Sequence, residues 1–241
     1  MLRDTDPSMP KSFESWNVLP HRPLEKLAEN LWRVEGDLPQ GDGTRVMTLA
    51  RMQDGRIIIH NAVALEEPLM KEIEAFGTPA AIVVPNGFHR LDARVYKQRY
   101  PGAKVYCPAS ARKKVSQVVP VDGTYADAPR DDTVSLTHLA GTRDGEGVLE
   151  VKSSDGTTLT FNDAICNLGH VSGIMGFFLA PTGRASVPRM ARWLVMKEKA
   201  PFRAHLSTLA ETPSLRRIIV SHGAMISSSP AESLKAAATE L

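Results

Sequence analysis

Apolar positions fall into short segments that predict strands separated by turns. The β-like runs at 45–50 and 56–60 are joined across Gln53-Asp54-Gly55, which predicts a β-hairpin. A second hairpin is predicted from the runs at 148–151 and 158–161. Further short strands are predicted over 80–84, 104–107 and 217–221.

Helices are predicted where apolar residues recur every three or four positions. Leu69, Ile73 and Phe76 mark the first helix, and Gly77 follows it as a terminator. The predicted helices span 68–76, 92–100 and 201–211, with a last helix opened by a capping box at 229–232. Hairpins combined with β-helix-β units predict an α/β domain with mixed sheets.

Composition narrows the class of protein. The 241 residues are 42% apolar and 23% charged, which is ordinary for a globular chain, and the net charge of +2 gives no reason to expect a nucleic-acid partner. Residues 1–29 are rich in Pro, Ser and charge and predict an arm, followed by a single domain over 30–241. The arm has no apolar h-region, so no secretory signal is expected.

Two further features bear on the compartment. The most apolar long window, 164–181, is interrupted by Asn167, His170 and three glycines, so neither a membrane span nor a membrane partner is predicted. Cys107 and Cys166 form no CxxC pair, which excludes a zinc ribbon and a disulfide scaffold. These features predict a cytoplasmic protein.

Three side chains that can bind a metal follow predicted strands. His89 comes five residues after the strand that ends at Val84, Asp163 comes two after Phe161, and His222 directly follows the strand at 217–221. Layered α/β folds build sites at the carboxyl ends of strands. Two imidazoles and a carboxylate suit zinc and leave a position open for water. A structural role for each residue remains the alternative.

Six segments between about residues 30 and 228 form an ordered pattern. The segments are LWRVEG at 31–36, IHNAVAL at 59–65, PNGFH at 85–89, FNDAICNL at 161–168, RWLVMK at 192–197 and IVSHG at 219–223. In their order and spacing together, these segments resemble the metallo-β-lactamase superfamily. The closer resemblance is to a branch with a degenerate metal motif, known as a domain of unknown function.

The resemblance implies a four-layer αββα sandwich with metals at one edge of its two sheets. The family's signature loop is His-x-His-x-Asp-His, and its later ligands are a His, a bridging Asp and a final His. On this pattern His89 takes the last position of the signature, Asp163 the bridging position and His222 the final position.

The departures from the pattern are as informative as the matches. Val84, Asn86 and Phe88 occupy the positions of the two signature histidines and the signature aspartate. The resemblance therefore implies that one metal position is lost, and that at most one divalent ion, zinc by preference, is held by His89, Asp163 and His222.

Other polar residues have alternative roles. His138 matches the remaining histidine of the lost position only poorly. Asp92 is the carboxylate nearest the signature loop, and a role at a helix N-terminus is the alternative to a role in the site. Asn86 either ligates through its carbonyl or forms an Asx turn. His60 is either a support for the site or a buried structural residue, and His170 either lines a pocket or packs a helix.

Three hypotheses of function follow. The first is a mononuclear metal-dependent hydrolase of a small ester or lactone-like substrate. The second is a catalytically inactive, metal-free protein of the same fold that binds a ligand. The third is an interaction protein in which 164–181 forms a partner surface or a homo-oligomer contact.

Overall fold

The structure is a computed structural model that describes residues 12–41 and 43–241. The chain divides into two compact units, Met1–Pro129 and Arg130–Leu241, called here the N-terminal and C-terminal units. Residues 1–11 of the predicted arm lie outside the described residues. The single domain predicted over 30–241 stays a prediction.

The N-terminal unit contains a mixed sheet of six described strands in the order β1-β2-β3-β4-β5-β6. β1 to β4 are antiparallel neighbours, whereas β4, β5 and β6 are parallel. The strands are β1 (Glu25–Ala28), β2 (Leu31–Asp37), β3 (Thr44–Arg51), β4 (Arg56–His60), β5 (Thr78–Val83) and β6 (Lys104–Tyr106). The helices are α1 (Glu67–Phe76), α2 (Ala93–Arg99) and α3 (Arg112–Val115).

The core of this unit explains why these segments form these elements. Ile57 and Ile59 of β4, on alternate positions of one face, belong to the same buried cluster as Ile73 and Phe76 of α1. The hairpin predicted at 45–60 is confirmed, with Leu49 paired to Ile59. The sequence did not reveal β1, because its four residues include Glu25 and Lys26 and it lies at the sheet edge.

A buried ion pair ties β3 to α2. Arg45 and Asp92 are both almost fully buried, and the Arg45 guanidinium pairs with the Asp92 carboxylate. Asp92 precedes α2, but its side chain makes no cap hydrogen bond. Burial raises the pKa of Asp92, although Arg45 and the Ala64 amide favour its charged form. Asp92 therefore acts neither as the predicted cap nor as a ligand.

The C-terminal unit contains a mixed sheet of four described strands in the order β10-β9-β8-β7. β7, β8 and β9 are antiparallel neighbours, and β10 is parallel to β9. The strands are β7 (Val134–His138), β8 (Gly147–Ser153), β9 (Gly156–Phe161) and β10 (Leu215–Val220). The helices are α4 (Gly173–Leu179), α5 (Arg189–Leu194), α6 (Lys199–Ala210) and α7 (Pro230–Thr239).

Two of the sequence predictions for the C-terminal unit are confirmed and one is wrong. The hairpin at 148–161 is confirmed, and Phe202, Leu206 and Leu209 of α6 are buried in the core on one face as predicted. The prediction of a capping box before α7 is wrong. Ser229 adopts a left-handed backbone with φ of 49°, and its side chain makes no cap hydrogen bond, so Pro230 in the first turn starts the helix instead.

We expect Asp92→Ala to lower the free energy of unfolding by about 3–5 kcal/mol, because it leaves the Arg45 guanidinium buried without its ion partner. The double variant Arg45→Met with Asp92→Leu should lose less free energy of unfolding than Asp92→Ala, since neither buried charge then remains. Urea denaturation of both variants measures the difference. A double variant that is less stable than Asp92→Ala would contradict this account.

Candidate metal centre

The loop after β5 is shaped by Asn86. Its Oδ1 accepts hydrogen bonds from the backbone N–H groups of Phe88, at 2.8 Å, and of His89, at 3.2 Å. This is the Asx turn predicted as one of two roles for Asn86. Val84, at the position of the first signature histidine, is buried in the core. Neither residue therefore presents a ligand here.

His89 is oriented by Asn61, which directly follows β4. Asn61 Nδ2 donates to the Val46 carbonyl oxygen at 2.9 Å, so its Oδ1 faces His89 Nδ1 at 3.2 Å. An amide oxygen only accepts, which places the proton of a neutral imidazole on Nδ1 and makes Nε2 the nitrogen that carries the lone pair. Asn61 has a φ of 57°, a conformation that Asn tolerates better than most residues.

His60 lies beside this pair but is inaccessible to solvent. Burial lowers the pKa of His60 from 6.5 to about 3, and the neighbouring His89 acts in the same direction. Nδ1 of His60 has no hydrogen-bond partner among the described residues. His60 is therefore a neutral, buried imidazole behind the loop, which agrees with the structural alternative.

Phe88, at the position of the signature aspartate, is 57% exposed, and the Lys114 Nζ lies 4.2 Å from its ring centroid. The backbone of this loop approaches the 112–118 segment closely. A Cβ at Gly87 would stand 2.7 Å from Lys114 Cδ, and the buried Arg90 donates to the Lys114 carbonyl oxygen and to Gln117. These contacts hold the loop against the 112–118 segment and place an aromatic ring beside an ammonium group.

In the C-terminal unit, Asp163 and His222 meet at the edge of the sheet. β9 and β10 are parallel and pair Phe161 with Val220, so the residues just after each strand emerge side by side. Nε2 of His222 lies 3.2 Å from Oδ1 of Asp163, and both side chains are a little over a quarter exposed, at 28% and 27%.

Two contacts hold this edge in place. Ser221 Oγ donates to Asn162 Oδ1 at 2.6 Å, and these two residues directly precede the two candidate ligands in the chain. Behind His222, Gly223 adopts a φ of 96°, and a Cβ there would collide with the Asn167 carbonyl oxygen. Only glycine fits this turn, and the Asn167 N–H donates to the His222 carbonyl oxygen at 3.2 Å.

The geometry of this pair fits a shared ion. Two ligand atoms about 2.0–2.1 Å from a tetrahedral zinc lie about 3.3 Å apart, close to the 3.2 Å between His222 Nε2 and Asp163 Oδ1. The same separation suits a simple His–Asp ion pair. Imidazole nitrogen and carboxylate oxygen are also the donors that zinc accepts.

Comparisons with solved structures return metallo-β-lactamases. The DIM-1 metallo-β-lactamase matches with a TM-score of 0.61 at 15% identity, over 93% of this chain and 99% of that one. A metallo-β-lactamase from Erythrobacter litoralis gives a TM-score of 0.62 at 13% identity, over 92% and 100%. FIM-1 from Pseudomonas aeruginosa, in its mono-zinc form, gives 0.58 at 15% identity, over 96% and 97%.

The chain has the metallo-β-lactamase fold. The α/β class with mixed sheets and the fold that the resemblance implied are thereby confirmed, whereas the branch with a degenerate metal motif stays a prediction. No family model and no curated protein matches the sequence. At this level of identity, the likeness establishes the fold and leaves the chemistry to the residues themselves.

Three further side chains that can in principle bind a metal lie apart from the Asp163–His222 pair or are unsuited to the role. Cys166 is buried, and burial, followed by the charges of Asp163 and Glu146, raises the pKa of its thiol, so it stays protonated. His138 ends β7. Because β8 lies between β7 and β9, about 10 Å separates the strand of His138 from the strand that Asp163 follows. His170 is exposed. Asn61 is the residue that sequence reasoning passed over, although its place after a strand was a usable signal.

We expect the stability of the protein to depend on pH through His60. Its folded pKa lies below the unfolded one, so the unfolded chain binds the proton first and stability is lost as the pH falls from about 6.5 towards about 3. Between about pH 7 and about pH 5, the His60 contribution to the free energy of unfolding should fall by about 2 kcal/mol.

Denaturation of the parent and of His60→Gln at both pH values measures this contribution. The variant should lose less stability than the parent, and His170→Gln, which alters an exposed histidine, should keep the parental pH dependence. Equal pH dependence in the parent and in His60→Gln would show that His60 does not titrate as argued.

Proposed function

We propose that the protein is a mononuclear metal-dependent hydrolase of a small ester or lactone-like substrate. One divalent ion, zinc by preference, would be held by His89, Asp163 and His222. The observation that carries the proposal is the His222–Asp163 pair, whose donor atoms lie 3.2 Å apart at the carboxyl ends of two parallel strands.

Two features of the residues and one comparison support this ligand set. His89 has its Nδ1 engaged by Asn61, which leaves Nε2 as the donor. The set contains two imidazoles and one carboxylate, with a fourth position left for water or substrate, as in catalytic zinc sites. The FIM-1 structure in its mono-zinc form is an example of this fold with a single zinc.

A divalent ion held by these residues would lower the pKa of a water molecule and polarise a carbonyl oxygen of the substrate. The chain itself would supply binding and exclusion of water. Phe88 offers an apolar surface and Lys114 a positive charge beside it. With phenylalanine in place of the signature aspartate, proton transfer at this position has no carboxylate to carry it.

That loss favours one alternative. Val84, Asn86 and Phe88 all occupy positions where the family pattern has ligands, and the first two have structural roles instead. A catalytically inactive, metal-free protein of the same fold that binds a ligand is therefore the second candidate.

The proposal includes a cytoplasmic location and a small-molecule ligand. Both cysteines are free thiols, which fits a reducing cytoplasm. No helix in the described residues is long and apolar enough to cross a bilayer. The proposed ligand is a small molecule. Self-association would require a surface outside the ligand set.

We expect the purified protein to bind about one equivalent of zinc and to gain thermal stability from it, because the ion binds only the folded chain. Inductively coupled plasma analysis and thermal denaturation measure the two effects. Binding should weaken on acidification, since protons compete for the imidazoles. His222→Ala and Asp163→Ala should each abolish the stabilisation, whereas His170→Ala should keep it.

Hydrolysis of p-nitrophenyl acetate and of a small lactone then separates the two candidates. Metal-dependent turnover that His222→Ala removes supports the hydrolase. The absence of both zinc binding and turnover favours the inactive, metal-free alternative, and zinc binding without turnover on either substrate contradicts the hydrolase. Stabilisation by zinc that is retained in His222→Ala would overturn the ligand set itself.

We expect Asn61 to act as a positioning residue for His89. Asn61→Gly keeps the left-handed backbone but removes the acceptor, and should weaken zinc binding by about 10–100-fold. Asn61→Asp restores an acceptor for Nδ1 and should recover most of the affinity. Competition against a zinc-binding dye measures both. If the two variants bind equally weakly, the role of Asn61 is structural.

A further inference from the structure

The helices α4 and α5 place large apolar side chains in solvent. Ile174 is 82% exposed and Trp193 55%, and the remaining members are also more than half exposed. We call the set the apolar patch: Ile174, Met175, Phe177, Trp193 and Leu194. A folded chain rarely leaves this much contiguous apolar surface in water without a partner for it.

The aromatic rings of the patch form one cluster. The ring centroids of Phe177 and Trp193 lie 6.4 Å apart, and Phe178 lies edge-on to both, at 5.6 Å and 6.1 Å. Two short helices therefore present a single aromatic surface. The C-terminal unit contributes every residue of it.

The segment that carries the patch is positively charged. Residues 171–200 contain five basic residues and one acidic residue, Glu198, whereas the whole chain has a net charge of only +2. One of the five, Arg184, is paired with Glu240, and the remaining four still outnumber Glu198. The Arg189 guanidinium lies 4.6 Å from the Phe177 ring centroid and donates to the Phe177 carbonyl oxygen. Lys197 and Lys199 are exposed just beyond Leu194. Apolar and cationic groups thus occur together.

We propose that this patch docks the protein onto an anionic membrane surface. Exposed Trp and Phe with flanking Arg and Lys match the chemistry of the lipid headgroup region, where rings enter the acyl boundary and cations meet anionic headgroups. The contact is peripheral, since α4 and α5 have seven and six residues and no described helix can span a bilayer. The proposal is independent of the metal site.

Charge argues against a second copy as the occupant. A two-fold contact through the patch would bring the same basic residues of both copies together, which disfavours the pair. The sequence predicted no membrane partner because polar residues interrupt the run at 164–181, and surface docking, unlike a span, tolerates that interruption. The α4 part of this run is largely exposed.

Sedimentation of the full chain with vesicles tests the proposal. We expect partitioning at least about tenfold stronger onto phosphatidylcholine vesicles with about one third phosphatidylserine than onto pure phosphatidylcholine, and weaker partitioning at high salt. Tryptophan emission should shift to the blue on binding, and the shift should be absent in Trp193→Phe, which removes the exposed indole but keeps an aromatic ring.

Variants separate the two parts of the contact. Phe177→Ser with Trp193→Ser should reduce binding by about tenfold or more, because each removes apolar area that enters the bilayer. Lys197→Glu with Lys199→Glu should abolish the preference for anionic lipid. Phe88→Ser is the matched control, since it alters an equally exposed aromatic residue outside the patch and should leave vesicle binding unchanged.

Three results would overturn the proposal. The first is the absence of binding to anionic vesicles at millimolar lipid, and the second is binding that the patch variants leave intact. The third is a dimer in analytical ultracentrifugation that Phe177→Ser dissociates, in a protein that does not bind vesicles, which would assign the patch to a second copy.

Discussion

The parallel pairing of β9 with β10 is the constraint on which the candidate centre depends. Antiparallel strands would send the residues after each strand to opposite edges of the sheet, whereas parallel strands send them to the same edge. Asp163 and His222 are 59 positions apart in the chain, yet their donor atoms lie 3.2 Å apart because Phe161 pairs with Val220. The N-terminal unit repeats the principle, since β4 and β5 are parallel and pair His60 with Val83, and Asn61 and the 85–89 loop follow them.

The same loop shows how a ligand position is lost without losing the fold. A histidine at position 84 would have to bring a polar ring into a core cluster, and Val84 fills that space with an apolar side chain instead. Asn86 keeps a polar group but uses its oxygen on two backbone N–H groups of its own loop. The loop therefore keeps its shape through local hydrogen bonds, and His89 keeps its orientation through Asn61.

Much of this could be predicted from the sequence, and the failures have physical causes. Hairpins and amphipathic helices follow from periodicity, and His89, Asp163 and His222 stood out because each comes after a strand. β1 escaped detection because an edge strand buries little. Ser229 has the right residue type for a cap, but it adopts a left-handed backbone instead of the extended one that an N-cap needs, and its side chain makes no cap hydrogen bond. The ion pair of Asp92 with Arg45 could not be predicted from the sequence, since a contact between residues 47 positions apart leaves no local pattern.

The exposure of α4 could not be predicted from the periodicity of apolar residues either. A run such as Met175-Gly176-Phe177-Phe178 has the composition of a core segment, and nothing local distinguishes a core from a surface that awaits a partner. Here only Gly176 of α4 is buried, because its backbone packs on the Val171 carbonyl, while Ile174, Met175 and Phe177 are exposed. The three aromatic rings contact one another, and Arg189 lies against one of them, so part of their apolar surface is shielded from water. The rest of the apolar surface stays exposed to solvent. The remaining apolar area is what a lipid surface would cover, and the basic residues around it select which lipid.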